Sequence, residues 1–403
     1  MNKTRKKKAG RAVDSGGYGC LFIPQLECRN RKKSTRKGVS KLGINYDLES
    51  EWKQFIRIKK YLKKIPNYKK YFLIDNINKC IPAPLTTKDK ENMSSCGNLL
   101  RAGINEDNIN QYLNKLIIIN MPYGGINLHN IINSGTINYI TINSLMQELL
   151  LNAILPMNKL KIYHFDIKSL NILYKDNHLR LIDYGEVGIS QDNQIIPRQL
   201  YNKGIQYNTP FSRILFIDNI RRNINFYLKS RKSIELTPQF YLQLKKHIFI
   251  TYKEYIELSG MGHELFLSKY FLKDLFNARG IYNVSQEHYQ DLVTLMIVNY
   301  CTMVVYHYIN KNTKEFDHIK YFENVYSKNV DIYGFIMCYM PYIKSLESKY
   351  IYHEKIQLSI INIIIKFCFN TEYSIKPIPI NLLLKYLNNP GSINIINLDS
   401  LQI

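Results

Sequence analysis

The feature that most constrains the fold is a change in the hydrophobic pattern of the chain near residues 120–125. Before this point, short apolar runs are separated by glycine and by polar segments, which is typical of strands joined by tight turns. After it, the chain reads mostly as helices, of which residues 142–155 have the strongest pattern. The sequence therefore predicts an α+β fold in which a strand-rich front part precedes a larger helical part.

One helix is predicted within the front part, over Asp47–Lys64. Its apolar face is defined by residues at spacings of four, three and four, namely Glu51, Phe55, Ile58 and Leu62. A glutamate on an otherwise apolar face needs a cation as its partner, because a buried carboxylate is costly when it is unpaired. We take Lys41 as that cation, and Glu49 is the alternative partner for Lys41.

The other apolar runs predict short strands, and 76–110 is predicted to be a long irregular insertion. The predicted strands are the pair within Val13–Ile23, followed by Gly38–Leu42, Tyr71–Asp75, Leu116–Ile119, Ile172–Tyr174 and Leu179–Ile182. Two longer apolar stretches, Leu292–Ile309 and Ile360–Phe369, contain polar residues and predict buried helices rather than membrane spans. The basic N-terminus has no apolar run behind it, so no signal peptide is expected.

The net charge of +23 favours acidic partners such as phosphates, nucleic acid or acidic proteins. Two basic runs, 3–11 and 29–37, carry much of it. We interpret them as a solvated tail and a solvated loop. Nucleic-acid binding is the alternative, without base stacking, because the runs contain no interleaved aromatic residues. The seven cysteines are scattered and include no C-x-x-C pair, so mostly reduced thiols and an intracellular protein are expected.

The strongest functional motif is H-x-D-x-K-x-x-N at 164–171, followed by D-Y-G at 183–185. Phosphoryl transfer requires a carboxylate to orient the attacking hydroxyl and a cation beside the transferred phosphate. Asp166 and Lys168 suit these two tasks. Magnesium is a hard cation that prefers oxygen ligands, which Asn171 and Asp183 can supply.

A glycine-rich turn lies upstream, between the first two predicted strands. Glycines allow backbone N–H groups to approach phosphate oxygens, although an ordinary β-turn has the same composition. The segment 13–21 fits G-x-G-x-[FY]-G-x-V with Gly16 and Gly19 as its second and third glycines. Asp14 replaces the first glycine and Leu21 replaces the valine.

These motifs occur in the order found in the eukaryotic protein kinase family: glycine loop, strand lysine, helix glutamate, hinge, H-x-D-x-K-x-x-N and D-Y-G. Over about 12–212, the chain resembles the divergent serine/threonine kinases of large nucleocytoplasmic DNA viruses. The phrases that support this resemblance are Gly16–Cys20, Val39–Lys41, Met121–Gly125 and Gln206–Ser212. Asp331–Gly334 is similar to the D-x-W-x-x-G helix start of the kinase back lobe, and an ordinary helix N-cap is the alternative reading.

The resemblance implies a two-lobed protein-kinase-like fold. It comprises a basic tail (1–11), a small β-rich N-lobe (12–119) and a large helical C-lobe (120–403) with a helical insertion at about 213–328. It also implies ATP, clamped at the hinge Asn120–Tyr123, and Mg²⁺ or Mn²⁺ held by Asn171 and Asp183. The implied catalytic residues are Asp166, Lys168 and Asn171. The implied nucleotide-contacting residues are Val13, Gly16, Gly17, Tyr18, Gly19, Leu21, Val39, Lys41, Glu51, Asn120, Met121 and Leu173.

Several positions depart from the family pattern. Phe211 stands where the glutamate of A-P-E is expected, and Phe165 stands where many kinases have an arginine before the catalytic aspartate. Phe165 cannot pair with a phosphate, so the activation segment is expected to be ordered by packing and by local ion pairs of Arg198 and Lys203. The motif Gly260–Glu264 in the insertion matches nothing in the family pattern and has no assigned role.

The expected function is transfer of the γ-phosphate of ATP to protein hydroxyls, in the host cytoplasm or virion if the protein is viral. Lys168 implies a preference for serine and threonine, and the net charge favours an acidic protein substrate. Three alternatives remain open: a catalytically silent kinase-fold binding module, a nucleic-acid-binding virion protein, and a phosphotransferase that acts on small molecules.

Overall fold

The computed structural model describes residues 11–16, 19–29, 38–278, 280–344 and 351–393. It divides into two compact units. The first unit is Met1–Gly125 with Arg180–Gly185, and the second is Ile126–Leu179 with Glu186–Ile403. Small antiparallel sheets occur together with many helices, so the predicted α+β class is confirmed. The predicted basic tail and most of the second basic run, residues 1–10 and 30–37, lie outside the described residues.

The first unit is built on a five-stranded antiparallel sheet with the strand order β1-β2-β3-β5-β4. Its elements are β1 (Arg11–Gly16), β2 (Gly19–Ile23), β3 (Gly38–Ile44), α1 (Asn45–Leu62), α2 (Tyr68–Tyr71), β4 (Asn78–Cys80), α3 (Gly97–Arg101) and β5 (Leu116–Pro122). The predicted hairpin within Val13–Ile23 and the predicted helix over Asp47–Lys64 are both confirmed, with small shifts at their ends.

Strand β5 is apolar throughout its first half because both faces of the sheet are covered. Ile117 and Ile119 pack with Leu48 of α1 on one face. Leu116 and Ile118 belong to a second cluster, which includes residues of the segment 85–113. Successive side chains of a strand point to opposite faces, so the run Leu116–Ile119 serves two hydrophobic layers.

One prediction for the first unit is wrong, and another is confirmed only in part. The predicted strand Tyr71–Asp75 is absent, because Tyr71 ends α2 and Phe72 forms only an isolated bridge to Leu181. The predicted insertion at 76–110 is irregular over most of its length. It nevertheless supplies the edge strand β4, contains α3, and buries apolar side chains such as Leu99 and Ile109 against the sheet.

Two disulfides connect this segment to the rest of the sheet. They join Cys20 to Cys96 and Cys28 to Cys80, with Cα atoms 5.3 Å and 5.8 Å apart, within the usual range for a disulfide. The expectation of mostly reduced thiols is therefore wrong for these four cysteines. Their sequence separations of 76 and 52 residues gave no signal of the pairing. The remaining three, Cys301, Cys338 and Cys368, are free and buried.

The second unit is mainly helical. Its helices are α4 (Leu128–Ser134), α5 (Tyr139–Leu149), α6 (Leu155–Lys159), α7 (Asp218–Lys229), α8 (Pro238–Ser259), α9 (Gly262–Phe266), α10 (Lys273–Ala278), α11 (Gln286–His307), α12 (His318–Tyr321), α13 (Ser327–Met337), α14 (Pro341–Lys344), α15 (Ile351–Ile364) and α16 (Ile380–Asn388). Its strands are β6 (Ile126–Asn127), β7 (Ile162–Tyr163), β8 (Ile172–Lys175), β9 (His178–Leu181, which passes into the first unit at Arg180), β10 (Gly188–Ile189), β11 (Ile309–Asn310) and β12 (Glu315–Phe316).

The helix predicted at 142–155 is confirmed as α5, a π-helical segment and α6 in succession. The two apolar stretches predicted as buried helices correspond to α11 and to α15 with its π-helical continuation. The long segment between Phe211 and Asp331 is helical over most of its described length, as predicted. Across the described ranges, no helix is both long and apolar enough to span a bilayer.

Side-chain caps explain where the two longest helices of this segment begin. The Thr237 hydroxyl accepts a hydrogen bond from the N–H of Phe240, and Pro238 occupies the first turn of α8. The Ser285 hydroxyl accepts from the N–H of His288 at the start of α11. Both are typical N-cap arrangements, because a side-chain oxygen satisfies an otherwise unpaired helix N–H.

Candidate functional site

The first unit contains a cavity of about 220 Å³ that several predicted site residues line. Most of its wall is apolar. The lining residues are Gly19, Leu21, Lys41, Glu51, Trp52, Phe55, Leu73, Ile77, Ile119, Met121, Ile182, Asp183 and Tyr184. The three charged groups among them, Lys41, Glu51 and Asp183, were all singled out from the sequence. The cavity therefore combines an apolar wall with the few polar groups that a ligand site requires.

Lys41 and Glu51 form an ion pair on this wall. The Lys41 Nζ donates to both Glu51 carboxylate oxygens, at 2.8 Å to Oε1 and 2.6 Å to Oε2. The two side chains are 18% and 20% exposed, so the pair is mostly buried but remains accessible from the cavity. The predicted pairing of these two residues is confirmed.

The alternative partner, Glu49, pairs with Lys79 of β4 instead. The hydrogen bond from Lys79 holds the pKa of the Glu49 carboxyl below its usual value. Glu49 and Glu51 lie two positions apart on α1, so their side chains leave the helix in different directions. Only Glu51 shares the face that contains Phe55 and Ile58, and the interpretation of that face was correct.

The glycine-rich turn is a hairpin in which Gly16 pairs with Gly19. The residues between them, Gly17 and Tyr18, lie outside the described residues. A Cβ atom on Gly19 would lie 2.9 Å from the Leu42 carbonyl oxygen, so the close approach of β3 requires glycine there. Val13 lies at an irregularity in the β1–β2 register, between Ala12 and Asp14.

Leu21 is directly opposite Lys41 in the sheet and lines the cavity. Val39 is buried opposite Met121, and Met121 also lines the cavity. These three positions therefore lie on or beside the wall that presents the Lys41 ammonium. Leu173, the last of the predicted nucleotide contacts, lies in β8 of the second unit opposite Asn127.

Asn120 has a structural role that the sequence did not indicate. Its buried side chain accepts a hydrogen bond from the Ser40 hydroxyl and donates to the Leu26 carbonyl at 3.3 Å. Strand β5 continues through Pro122 and pairs with β3. Most of the predicted hinge Asn120–Tyr123 is therefore regular strand, because β3 provides partners as far as Gly38.

Asp183 is held in place by its neighbours in the segment Arg180–Gly185. The buried Tyr184 hydroxyl donates to the Leu181 carbonyl at 2.7 Å, and the Leu73 N–H donates to the same carbonyl at 3.3 Å. The Tyr184 ring lies 6.1 Å from the Phe55 ring of α1. Asp183 itself has a positive φ of 63°, a conformation that aspartate tolerates better than most residues.

The second unit brings together the three predicted catalytic residues. The Asp166 Oδ2 accepts from the Lys168 Nζ at 2.7 Å and from the Asn171 Nδ2 at 2.9 Å. A third donor was missed in the sequence: the Asn208 Nδ2 lies 2.9 Å from the Asp166 Oδ1. Asn208 belongs to the phrase Gln206–Ser212, which was noted only for its resemblance. The Asp166 carboxylate is thus fixed by three hydrogen bonds.

A buried aspartate holds the backbone of this loop. The Asp331 carboxylate accepts from the N–H groups of His164 at 2.9 Å and Phe165 at 3.0 Å, and from the Asn158 side chain at 2.7 Å. Burial raises the pKa of Asp331, while His164 and the hydrogen bonds from these donors oppose the rise.

Asp331 lies inside α13, which begins at Ser327, so the predicted position at a helix start or an N-cap is wrong. Gly334 lies one turn further along α13, where a Cβ atom would be only 2.6 Å from the Ile167 carbonyl oxygen. The D-x-x-G spacing therefore places two features on one helix face: the Asp331 carboxylate, and at Gly334 the space into which the Ile167 backbone fits. Phe165 has a φ of 60°, which is costly for an aromatic residue and is stabilised here by its bond to Asp331.

Arg213 occupies the space behind the loop. It is fully buried, and its Nη1 donates to the Gln206 Oε1 at 2.9 Å and to the Phe165 carbonyl at 3.4 Å. Its Nη2 lies 3.7 Å from the Glu186 Oε2, and the Lys203 Nζ lies 3.0 Å from the other Glu186 oxygen. The expected local ion pair of Lys203 is therefore present.

Phe211, which replaces the expected glutamate, is an apolar anchor. It is fully buried, with its ring 5.7 Å from Tyr300 and 5.5 Å from Phe369. Aromatic packing thus fixes the Phe211 side chain at the position where the resemblance called for a glutamate.

The two predicted metal ligands belong to different units, Asn171 to the second and Asp183 to the first. Among the described residues, no group of three or more histidine, cysteine, aspartate or glutamate side chains is arranged to hold a metal ion. No protein-family model matches the chain, and no curated protein matches it.

Proposed function

We propose that this chain is a protein kinase that transfers the γ-phosphate of ATP to serine or threonine hydroxyls. The observation that carries the proposal is the cluster of Asp166, Lys168 and Asn171, with its backbone fixed by the buried Asp331. Phosphoryl transfer depends on positioning and on charge neutralisation more than on covalent help from the protein. A loop that fixes one carboxylate and one ammonium side by side meets both needs.

Each residue of the cluster has a distinct task. The Asp166 carboxylate accepts the hydrogen bond of the attacking hydroxyl and orients its oxygen. The Lys168 ammonium, 2.7 Å from the Asp166 Oδ2, neutralises negative charge on the transferred phosphoryl group. Lys41 does the same for the nucleotide phosphates, and Glu51 keeps its ammonium directed into the cavity.

The residues present fit a magnesium nucleotide. Asn171 uses its Nδ2 for the Asp166 contacts, which leaves the amide Oδ1 as an acceptor for a cation. The Asp183 carboxylate is the second hard oxygen donor, and magnesium sites in such enzymes often use one or two protein ligands plus phosphate oxygens. When bound, the metal supplies charge neutralisation of the phosphates.

We also infer that the first unit corresponds to the nucleotide-binding lobe of a kinase-like fold and the second unit to its helical lobe, with 213–328 as an insertion. The order of the motifs and the Asp331 anchor support this assignment. Residues of both units are required for the proposed reaction. Variants of Lys41 in the first unit and of Asp166 in the second should therefore both lower the rate of transfer.

The test is a transfer assay with γ-labelled ATP and Mg²⁺ or Mn²⁺, with casein, a basic protein and small alcohols as acceptors. Wild type should label serine or threonine of a protein acceptor. Asp183→Asn should reduce the rate by several powers of ten, and the matched control Asp192→Asn, at an exposed side chain, should not. Labelling of small alcohols alone would contradict the protein-kinase assignment, and equal rates in wild type and Asp183→Asn would contradict phosphoryl transfer at this site.

A further inference from the structure

The motif Gly260–Glu264, which has no counterpart among the kinase motifs, lies beside the catalytic cluster. It connects α8 to α9, and Gly260 has a φ of 76° that favours glycine at this turn. The turn directs His263 towards the segment 206–208. The neighbouring Glu264 side chain is buried, and its Oε1 accepts a hydrogen bond from the Tyr252 hydroxyl at 3.4 Å.

The contact of His263 with this segment defines the state of its imidazole. The Tyr207 N–H lies 3.3 Å from the His263 Nδ1. A backbone N–H can only donate, so Nδ1 must be the unprotonated acceptor and the proton of the neutral ring must be on Nε2. The Tyr207 ring lies 5.5 Å from the imidazole and 4.7 Å from the Phe266 ring. His263 and Phe266, one turn apart on α9, therefore both contact Tyr207 and fix its position.

Tyr207 immediately precedes the residue that holds the catalytic carboxylate. The Asn208 side chain donates to the Asp166 Oδ1 at 2.9 Å and to the Ile167 carbonyl at 3.1 Å. A short path of contacts thus runs from the His263 ring through the Tyr207 N–H to Asn208 and Asp166. The only hydrogen bond of His263 in this path is the one that its Nδ1 accepts from the Tyr207 N–H, so substitution of His263 removes a single defined contact.

The charges around His263 favour its neutral form. Burial lowers the pKa of His263, and the Lys168 and Arg213 cations act in the same direction, whereas Asp166 opposes them. Burial raises the pKa of the adjacent Glu264 carboxyl. At neutral pH the His263 Nδ1 can therefore accept the Tyr207 N–H.

We propose that His263 is a positioning residue for phosphoryl transfer: it fixes the Tyr207 backbone so that Asn208 holds the Asp166 carboxylate in its reactive orientation. This inference rests on the proposed function. It assigns a role to the Gly260–Glu264 motif and makes part of the 213–328 insertion a support for the catalytic loop.

Two variants separate this role from simple packing. His263→Leu removes the acceptor, and His263→Asn places an amide Oδ1 near the position of Nδ1 without a titrating group. The loss of one hydrogen bond at this point corresponds to a fall in kcat of about three- to tenfold. We expect this fall in His263→Leu, an unchanged KM for ATP, and recovery of most of the rate in His263→Asn.

The pH profile gives an independent readout. Below the pKa of His263, which lies under its usual value of 6.5, the protonated Nδ1 can no longer accept the Tyr207 N–H. The ratio of kcat in His263→Asn to kcat in wild type should therefore rise as the pH falls below 6.5. Amide hydrogen exchange at Tyr207 and Asn208 should be faster in His263→Leu than in His263→Asn, which tests the contact without using activity.

The outcomes separate the two proposals. Three results would overturn the role of His263: a wild-type rate in His263→Leu, an equal loss in His263→Leu and His263→Asn, or a ratio that does not change with pH. The proposed function would still stand in each case, provided that Asp166→Asn is inactive. If wild type transfers no phosphate, or if Asp166→Asn matches it, the proposed function itself fails. The thermal midpoint of each variant identifies a loss that comes only from unfolding.

Discussion

The candidate residues of the two units are held in different ways. In the first unit, Lys41 and Glu51 bind each other on a cavity wall, and each side chain remains about one-fifth exposed. In the second unit, the Asp166 carboxylate accepts three hydrogen bonds, and Asp331, 1% exposed, holds the loop behind it. The Lys41–Glu51 pair is left accessible, whereas the Asp166 carboxylate is preorganised.

The two units also reach stability by different means. The first unit has a modest sheet with a hydrophobic cluster on each face, and one of these clusters contains two disulfides. The second unit buries many aromatic rings, including Phe211, Phe216 and Tyr321, and its free cysteines are simply part of that core. A small core benefits most from cross-links, so the contrast follows from size.

The largest effect is expected from removal of the buried anchor. Asp331→Ala leaves three N–H donors without their acceptor, and each such loss costs about 1–3 kcal/mol. The free energy of unfolding of the second unit should fall by about 3 kcal/mol or more, and transfer activity should be lost. Asp331→Asn should be milder, because an amide oxygen still accepts. Urea unfolding beside the surface control Asp192→Ala measures the difference, and equal stability of the two alanine variants would show that the anchor is unimportant.

A smaller effect is expected from the ion pair of the first unit. A charge-assisted hydrogen bond contributes about 1.5–3 kcal/mol, so Lys41→Met and Glu51→Gln should each lower kcat/KM for ATP by about 10- to 100-fold. Steady-state kinetics at varied ATP concentration provides the measurement. Glu49→Gln is the matched control because Glu49 pairs with Lys79. If Glu49→Gln lowers kcat/KM for ATP and Glu51→Gln does not, the Lys79–Glu49 pair rather than the Lys41–Glu51 pair contacts the nucleotide.

No effect is expected from dephosphorylation. Glu186 already supplies a negative charge to Arg213 and Lys203, the role that a phosphorylated residue has in many kinases. Protein made in bacteria should be active as purified, and phosphatase treatment should leave its rate unchanged. A contradicting result would be a large fall in rate after phosphatase treatment, with the rate restored by a single phosphate on 186–208. It would show that the Glu186 contacts do not order this segment.

Local patterns in the sequence predicted the parts of this site that are close along the chain. The spacing on α1 identified Glu51 as the partner of Lys41, ten residues away. The motif at 164–171 placed Asp166, Lys168 and Asn171 together, because a short loop brings neighbouring residues into contact. The predicted hairpin and most helices were correct for the same reason.

Contacts between distant residues could not be predicted. Asn208 is separated from Asp166 by 42 residues, and Asp331 from His164 by 167. Neither pairing leaves a periodic pattern in the sequence. The strand predicted at Tyr71–Asp75 failed for a related reason: an apolar run fits a helix end as well as a strand, and tertiary contacts decide between them.

The most direct test of the central claim is the rate of phosphate transfer by Asp166→Asn at saturating Mg²⁺ and ATP, measured beside wild type and Asp192→Asn. The substitution keeps the size of the side chain and removes its charge. We expect a loss of several powers of ten, with nucleotide affinity unchanged, with the variant still folded, and with Asp192→Asn fully active. Activity of Asp166→Asn above one tenth of wild type, on the order of 1 kcal/mol of lost transition-state stabilisation, would contradict the assignment of this loop as the catalytic centre.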